Sequence, residues 1–211
     1  MDASTPVLNI PKALRYLRRD SHLAPLIAQH GAPNFGPERN AFRALAESII
    51  YQQLSGKAAS AIFDHFLDLF PRRRFPTPGR LLTVPMARLR SAGLSTQKAN
   101  YLLDLAAKFC DGTIQPRKFS KMNDDEIAEH LIQVKGIGQW TADMFLMFGL
   151  NRPDVLPVGD LGIRNGFRKL YRLRQEPTPD KMIALAEPWR PYRTVAAWYL
   201  WRAVETPTAE S

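Results

Sequence analysis

Apolar residues recur at helical spacing along almost the whole chain. In residues 38–53 they fall on one helical face, at positions i, i+3, i+7 and i+8: Phe42, Leu45, Ile49 and Ile50. No stretch alternates between apolar and polar residues as a half-buried strand does. The pattern therefore predicts an all-α protein of about ten helices that are joined by short loops.

The same periodicity predicts further helices at residues 57–70, 97–110, 124–133, 139–149, 161–172, 179–187 and 191–204. Two of them begin with typical capping residues. Asn123 precedes three acidic residues, the last of which is placed to complete a capping box. Thr178 precedes a proline at the first helical position. Residues 70–80, rich in proline and arginine, are expected to form an exposed loop, and the first nine and last seven residues are expected to be loose.

Length and composition narrow the class of protein. A chain of 211 residues fits one large domain or two small lobes. The net charge of +9 favours a polyanionic partner, but charge alone does not distinguish nucleic acid from an acidic membrane. No apolar run approaches the roughly 18 residues of a membrane span, and the N-terminus does not resemble a secretory signal. We therefore expect an intracellular protein without a membrane partner.

Metal and redox chemistry find little support in the sequence. Cys110 is the single cysteine, which excludes an intramolecular disulfide and a four-cysteine zinc or iron–sulfur site built by this chain alone. The four histidines are scattered and form no ligand pattern. We expect no iron–sulfur cluster and no catalytic cofactor.

The most informative segment is HLIQVKGIGQWTADMFLMFGL, residues 130–150. It predicts a helix, a turn with Gly136 and Gly138, and a second helix. Glycines let the backbone turn tightly and approach another surface, and the N–H groups that open the second helix favour an anion such as a DNA phosphate. Two glycines can also occur in an ordinary turn between helices, so the turn alone leaves both interpretations open.

The wider context resembles one family. The hairpin is followed by a glycine- and proline-rich loop and an aspartate, in LPVGDLGI (residues 156–163). The arrangement resembles the helix–hairpin–helix (HhH-GPD) DNA glycosylases, and within them the compact form of the alkylpurine branch, the 3-methyladenine DNA glycosylase II type. Further agreement lies in three segments: residues 49–59, 93–102 and 188–201. The resemblance implies a two-lobed helical fold without an N-terminal β domain, with its helix–hairpin–helix at about residues 124–149.

The resemblance also implies the chemistry. Asp160 is well placed to cap the helix 161–172, and in this family the matching aspartate is the catalytic carboxylate. A carboxylate stabilises the positive charge that develops on the deoxyribose as the base departs. Trp140 stands where strand-cutting relatives carry a lysine nucleophile. The implied enzyme is therefore a monofunctional glycosylase, in which water attacks and an abasic site remains.

Base binding and DNA binding follow from the same resemblance. Trp140, Trp198 and Met144 are expected to line the pocket for a flipped base, although core packing is the ordinary role of tryptophan. In the loop after Tyr51, Gln53 or its neighbour Leu54 is expected to fill the gap in the duplex, although an ordinary helix end is also compatible. The other expected DNA contacts are Ser55, Lys57, Gly93, Ser95, Gly136, Ile137, Gly138 and Thr141.

The expected partner is double-stranded DNA that contains damaged bases, bound by a monomer, in the cytoplasm or nucleoid of a bacterium or the nucleus of a eukaryote. The resemblance further places a sodium or potassium ion at the hairpin, held by the backbone carbonyls of Ile132, Val134 and Ile137. Two other functions stay open at this point. One is a helix–hairpin–helix DNA-binding module without catalysis, and the other is a related glycosylase that acts on deaminated or etheno bases.

Overall fold

The computed structural model describes residues 8–36 and 40–205. Within these residues the chain forms twelve α-helices and no strand, which confirms the all-α prediction. The helices are α1 (Ile10–Leu17), α2 (Leu23–His30), α3 (Ala41–Tyr51), α4 (Gly56–Asp68), α5 (Pro78–Leu82), α6 (Met86–Ser91), α7 (Thr96–Cys110), α8 (Asp124–Ile132), α9 (Gln139–Met144), α10 (Leu161–Leu170), α11 (Pro179–Ala186) and α12 (Arg193–Glu205).

Every helix that the periodicity predicts is present, as α3, α4 and α7 to α12. The prediction missed α1, α2 and α5, which have eight residues or fewer and are too short for a periodic pattern to stand out. One predicted helix changes character along its length. The segment 139–149 is α-helical only to Met144, and Phe145–Gly149 forms a wider π-helical turn.

The structure corrects the expectation for residues 70–80. A short 3₁₀ helix occupies Pro71–Arg73, and α5 already begins at Pro78. Phe70 and Pro76 are buried, and their rings therefore anchor this segment to the body of the protein. Most of the other residues of the segment are exposed, as predicted: residues 71–74, 77, 79 and 80.

The predicted loose ends lie mostly outside the described residues, which omit 1–7 and 206–211. Leu8 and Asn9 belong to the predicted loose N-terminus but are described and bonded. The Leu8 N–H donates to the carbonyl of Asn151 at 3.1 Å, and the Asn9 side chain accepts the N–H of Lys12 and so caps α1. Glu205 is the last residue of α12.

The chain divides into two compact units. In the described residues the first unit comprises 40–145, and the second comprises 8–36 together with 146–205. In the first unit α7, the longest of its helices, packs against α3, α5 and α6. Its core contains a cluster of phenylalanine rings: Phe42, Phe63, Phe66, Phe75 and Phe109.

The second unit is built around α10 and α12, which pack closely against each other. Helix α12 buries residues on almost all of its sides, as expected for a helix in the centre of a small unit. Trp189 is fully buried beside α10, with its ring stacked on Phe167 at a centroid distance of 5.4 Å.

Local capping agrees with the sequence. Asn123 and Glu126 form a complete capping box at the start of α8, in which each side chain accepts a backbone N–H of the other residue. The Thr178 hydroxyl accepts the N–H of Lys181 at the start of α11. These caps explain why the predicted helix starts agree with the observed ones.

Asp20 connects two parts of the second unit, and its removal provides a test of this core. One carboxylate oxygen accepts the N–H groups of His22 and Leu23, and the other accepts the indole N–H of Trp189 at 2.8 Å. We expect Asp20→Ala to lower the free energy of unfolding by about 2 kcal/mol or more, because the buried indole N–H loses its acceptor. Chemical denaturation measures this change.

This prediction has two matched controls. Asp20→Asn keeps an acceptor oxygen and should lose clearly less stability than the alanine variant. The exposed Asp180 lies in the first turn of α11, and Asp180→Ala should cost less than about 1 kcal/mol. Equal losses in Asp20→Ala and Asp180→Ala would contradict the proposed role of Asp20.

Candidate active site and nucleic-acid interface

Asp160 lies at the start of α10, where it is the N-cap residue, as predicted. Its Oδ1 atom accepts the backbone N–H of Ile163 at 2.8 Å and the indole N–H of Trp201 at 2.8 Å. Two N–H donors from different helices therefore fix the orientation of this half-buried carboxylate.

Gly162 makes this arrangement possible. A Cβ atom at this position would lie 2.7 Å from Cδ1 of Trp201 and 3.0 Å from Oδ1 of Asp160. Any larger residue would push the indole away from the carboxylate. Sequence reasoning did not assign a role to Trp201, and its only signal was the segment of resemblance in which it lies.

Trp201 also belongs to an aromatic stack, which we define as Phe35, Phe148 and Trp201. The Trp201 and Phe148 rings lie 6.0 Å apart with an angle of 27° between their planes, and Phe148 and Phe35 lie 5.4 Å apart at 25°. Phe148 is 37% exposed, so part of the stack reaches the protein surface. The second unit therefore combines a carboxylate with aromatic faces, which together suit a planar cation.

Trp198 lies in different surroundings. Its ring packs edge-on against Tyr199 at a centroid distance of 4.9 Å, and the Arg202 guanidinium lies 5.0 Å from its centroid. The tryptophan of α12 that contacts Asp160 is therefore Trp201. A role of Trp198 in base binding stays a prediction.

The helix–hairpin–helix consists of α8, a turn at residues 133–138, and α9. Gly136 has a φ of +83°, and a Cβ atom there would collide with the ring of Tyr101. The backbone of the turn therefore rests directly on that ring, which only glycine allows. Gly138 caps α9, and no atom would obstruct a Cβ there within 4 Å, so another molecule can approach this part of the turn.

Two residues predicted to contact DNA have buried side chains. Thr141 is 3% exposed, and its hydroxyl accepts the Gln52 amide at 3.4 Å; Ile137 is 4% exposed. Because these side chains support the turn from inside, only their backbone atoms are left for an external contact. DNA contact by Thr141 and Ile137 therefore stays a prediction, and it concerns their backbone atoms.

Trp140 and Met144 lie on α9, in the first unit. Trp140 is 45% exposed, which argues against the ordinary interpretation of a core tryptophan. Met144 is half-buried. Asp160 and Trp198 belong to the second unit, so the predicted base-pocket residues are divided between the two units.

A groove of about 330 Å³ on the first unit brings several predicted residues together. The predicted members of its lining are Gln53, Leu54, Gly93, Ser95 and Gly136. The sequence analysis missed the other members, which are Gln52, Ile62, Gln97, Lys98 and Tyr101. Lys57 is exposed but does not line the groove.

The loop at residues 52–55, which we call the wedge loop, lies at one side of this groove. Gln53 is exposed and has a φ of +55°, a left-handed conformation that is uncommon for a residue with a side chain. Leu54 is 39% exposed. Ser55 ends the loop and caps α4 by accepting the N–H of Ala58. Both candidates for the inserted side chain are therefore accessible.

Asp143 on α9 is an acidic residue that sequence reasoning missed. It is only 8% exposed, and this burial raises its pKa to about 6. The Gln139 amide donates to Oδ1 at 2.7 Å and opposes that rise, while the negative charge of Asp125 adds to it. Its position between the apolar residues of TADMFLMF was the available signal.

The structure adds two negative findings for the residues that it describes. Across residues 8–36 and 40–205, no three His, Cys, Asp or Glu side chains form a group that could hold a metal ion. In the same part of the chain, no helix has both the length and the apolar character required to cross a membrane.

Comparison with known proteins identifies one matching family and several related proteins. Residues 46–191 match the family model described as HhH-GPD superfamily base excision DNA repair protein. DNA-3-methyladenine glycosylase 1 of Schizosaccharomyces pombe is 38% identical over 175 residues, which cover 80% of this chain and 77% of the relative. A putative DNA-3-methyladenine glycosylase of Bacillus subtilis is 30% identical over 188 residues, which cover 87% of this chain and 66% of that protein.

Solved structures agree with these sequence relatives. The 3-methyladenine DNA glycosylase of S. pombe, in complex with abasic DNA, superposes with a TM-score of 0.80 at 35% identity, covering 95% of this chain and 100% of that one. A DNA-3-methyladenine glycosidase from Bacillus halodurans gives a TM-score of 0.82 at 36% identity, with 95% and 92% covered.

The raised pKa of Asp143 predicts how pH affects stability. A carboxyl group whose pKa rises from 3.8 to about 6 on folding favours the folded state below pH 3.8, and this contribution is lost as the pH rises through 6. Asp143→Asn keeps an acceptor for Gln139 and carries no charge at any pH. We therefore expect the stability of the variant, relative to wild type, to increase by about 2 kcal/mol between pH 4 and pH 7.

Urea denaturation of both proteins at several pH values measures this difference. Asp180→Asn serves as the control, because Asp180 is exposed. A stability difference between Asp143→Asn and wild type that stays constant from pH 4 to pH 7 would show that burial does not perturb this group.

Proposed function

Because the chain belongs to the HhH-GPD superfamily of base excision DNA repair proteins, we propose that it is a DNA glycosylase for alkylated purines. Its substrates are bases of the 3-methyladenine and 7-methylguanine type in double-stranded DNA. The observation that carries this proposal is the Asp160 carboxylate, held by two N–H donors next to the aromatic stack.

Asp160 acts on the sugar. When the N-glycosidic bond breaks, its electron pair leaves with the base, and positive charge develops on C1′ and the ring oxygen of the deoxyribose. A fixed carboxylate stabilises this charge without having to reorganise during the reaction. The oxygen of a water molecule then bonds to C1′ and loses a proton, so the products are the free base and an abasic site.

The aromatic stack supports recognition of the base. Alkylation at N3 or N7 gives a purine a positive charge, and aromatic faces attract such a base by about 0.5–2 kcal/mol. The positive charge also makes the base a good leaving group, which reduces the need for a general acid. Trp140, Trp198 and Met144 are the further residues that we propose for base binding, on the strength of their motif positions.

The proposed enzyme is monofunctional. Trp140 occupies the position at which strand-cutting members of the superfamily carry a lysine nucleophile, and an indole does not form a Schiff base. The chain therefore has no covalent route through this position, and hydrolysis by water is the remaining one.

The first unit binds the DNA duplex in this proposal. We propose that Gln53 or Leu54 enters the duplex in place of the flipped nucleotide, because both are accessible on the wedge loop. The backbone at Gly138 and the side chains of Ser55 and Lys57 are proposed to bind phosphates. The net charge of +9 adds attraction to the duplex that does not depend on sequence.

A sodium or potassium ion at the hairpin is also proposed, held by the carbonyls of Ile132, Val134 and Ile137. Two features of the turn support this proposal. Ile132 is the last residue of α8, so its carbonyl accepts no N–H group from within that helix. The carbonyl of Val134 accepts the N–H of Ile137 at 3.0 Å, and its second lone pair is left for an ion. An ion there would neutralise the carbonyl dipoles of the turn and add positive charge near a phosphate.

We further propose that the enzyme acts as a monomer in the compartment that holds the DNA, which is the cytoplasm or nucleoid in a bacterium and the nucleus in a eukaryote. One subunit carries both Asp160 and the hairpin. No second copy is therefore needed to supply a residue of the proposed site.

Asp160→Asn tests the proposed chemistry. Asparagine is as good an N-cap as aspartate and still offers Oδ1 to Ile163 and Trp201, so the fold should be unchanged while the charge is lost. We expect excision of 7-methylguanine from methylated duplex DNA to fall on the order of a hundredfold or more. Single-turnover release of the free base measures the rate, and Asp180→Asn is the matched control.

A panel of single-lesion duplexes defines the substrate class in the same assay. Release of hypoxanthine or ethenoadenine alone would move the enzyme to the deaminated or etheno class. Binding to all duplexes without release of any base would make the chain a DNA-binding module instead. A DNA adduct trapped by borohydride would contradict the monofunctional assignment.

Trp201→Phe tests how Asp160 is held. Phenylalanine keeps an aromatic face against Phe148 but removes the N–H that Asp160 accepts. We expect the excision rate to fall by about tenfold with a smaller change in KM, because loss of one charged hydrogen bond is worth about 1.5 kcal/mol. An unchanged excision rate in a folded Trp201→Phe variant would show that this hydrogen bond does not hold Asp160 for the reaction.

A further inference from the structure

Helix α7 contacts both loops that border the groove of the first unit. Lys98, Tyr101 and Asp104 follow one another at spacings of three along one side of this helix. Lys98 bonds to the chain at the end of α3, while Tyr101 lies under Gly136. The Asp104 carboxylate accepts the N–H of Lys135 at 2.8 Å. One rigid helix therefore supports the wedge loop and the hairpin turn together.

Lys98 fixes the end of α3. Its Nζ donates to the carbonyls of Ile50 and Gln52, both at 2.7 Å. The last carbonyls of a helix have no partner within that helix, and a cation is the group that best satisfies them. The direction in which the chain leaves α3 is thus set immediately before Gln53, the residue with left-handed φ.

Gln52 continues the connection to the hairpin. Its backbone carbonyl accepts Lys98, and its side-chain amide donates to the carbonyl of Gly136 at 2.9 Å and to Thr141 at 3.4 Å. Gln52 and Gly136 are 84 residues apart in the sequence. A single residue therefore joins the wedge loop to the hairpin turn.

We propose that Gln52 and Lys98 are positioning residues that hold the wedge loop at a fixed distance from the hairpin. The inference rests on the proposed function, which assigns the wedge loop to the gap in the duplex and the hairpin to a phosphate. A gap-filling side chain and a phosphate contact can act on one duplex at the same time only if their separation matches the DNA. Loosening this Gln52–Lys98 link should therefore weaken binding to DNA with a vacant base position more than binding to intact duplex.

Two other roles for Lys98 are less consistent with its bonds. A nucleophilic amine must reach its target, whereas two bonds of 2.7 Å to backbone carbonyls hold the Lys98 amine at the end of α3. A phosphate contact needs an amine that is directed into solvent, whereas Lys98 is half-buried and burial lowers its pKa. A phosphate contact also has a distinct salt dependence, which an experiment can separate.

The test compares Lys98→Met with Lys98→Arg and with Lys118→Met, a matched loss of charge at an exposed position. Dissociation constants are measured for a duplex with a stable abasic-site analogue and for the same duplex without it, over a range of salt concentrations. We expect Lys98→Met to lower the preference for the abasic duplex about tenfold and to leave the salt slope unchanged. Lys98→Arg, which keeps the donors, should retain most of the preference, and Lys118→Met should retain all of it.

A second pair of measurements keeps the test informative if Lys98→Met does not fold, as judged by circular dichroism. Gln52→Leu breaks the side-chain bond to Gly136 and leaves the bonds of Lys98 in place, and it should cause a similar loss of preference. Where both variants fold, the double variant should lose little more than the larger single effect, because both changes break the same connection.

Several outcomes would overturn the inference. Equal weakening for both duplexes, with a salt slope lowered by about one, would make Lys98 a phosphate contact. Unchanged preference in both Lys98→Met and Gln52→Leu would also overturn it, as would a wild-type protein that does not prefer the abasic duplex. Failure of the proposed function gives a different result. If the wild-type protein prefers the abasic duplex but releases no base, and the variants lose this preference, the inference still stands.

Discussion

The hydrogen bond from the Trp201 indole to the Asp160 carboxylate joins the two helices around which the second unit is built. It can form only because Gly162 leaves space for the indole at the start of α10. The same indole continues into the stack with Phe148 and Phe35. This contact therefore connects the packing of α10 and α12 with the orientation of the carboxylate and with the aromatic surface.

In the first unit, polar contacts fix the relative position of two loops. Its loops must meet a flexible polymer, and loops alone do not keep a fixed separation. Helix α7 provides the rigid element, since Lys98 holds the end of α3 and the Tyr101 ring supports the turn at Gly136. Gln52 then bonds one loop to the other. In both units, short polar contacts on long helices fix the positions of the groups proposed to act on DNA.

Asp160 and Asp143 show how the surroundings of a carboxyl group separate a chemical role from a structural one. Asp160 is half-buried and accepts N–H groups from two helices, which fix the orientation of its carboxylate. Asp143 is buried among apolar residues, and its pKa rises to about 6. A charge on Asp143 costs stability, whereas the proposed reaction needs the charge on Asp160.

The sequence by itself determined the features that depend on residues close together in the chain. These are the helical periodicity, the capping by Asn123 and Thr178, the turn at Gly136 and the N-cap position of Asp160, because each depends on spacings of a few residues. The same local pattern missed α1, α2 and α5, which are too short to show a period, and it did not reveal that the side chains of Thr141 and Ile137 are buried.

Only the tertiary structure decided which distant residues complete each site. Trp201 meets Asp160 across 41 residues of sequence, and Gln52 meets Gly136 across 84. No local spacing distinguishes Trp201 from Trp198, since both lie on one helix, or Lys98 from the other lysines. The choice is made by packing: the close approach at Gly162 brings the Trp201 indole against the backbone, and the one at Gly136 does the same for the Tyr101 ring.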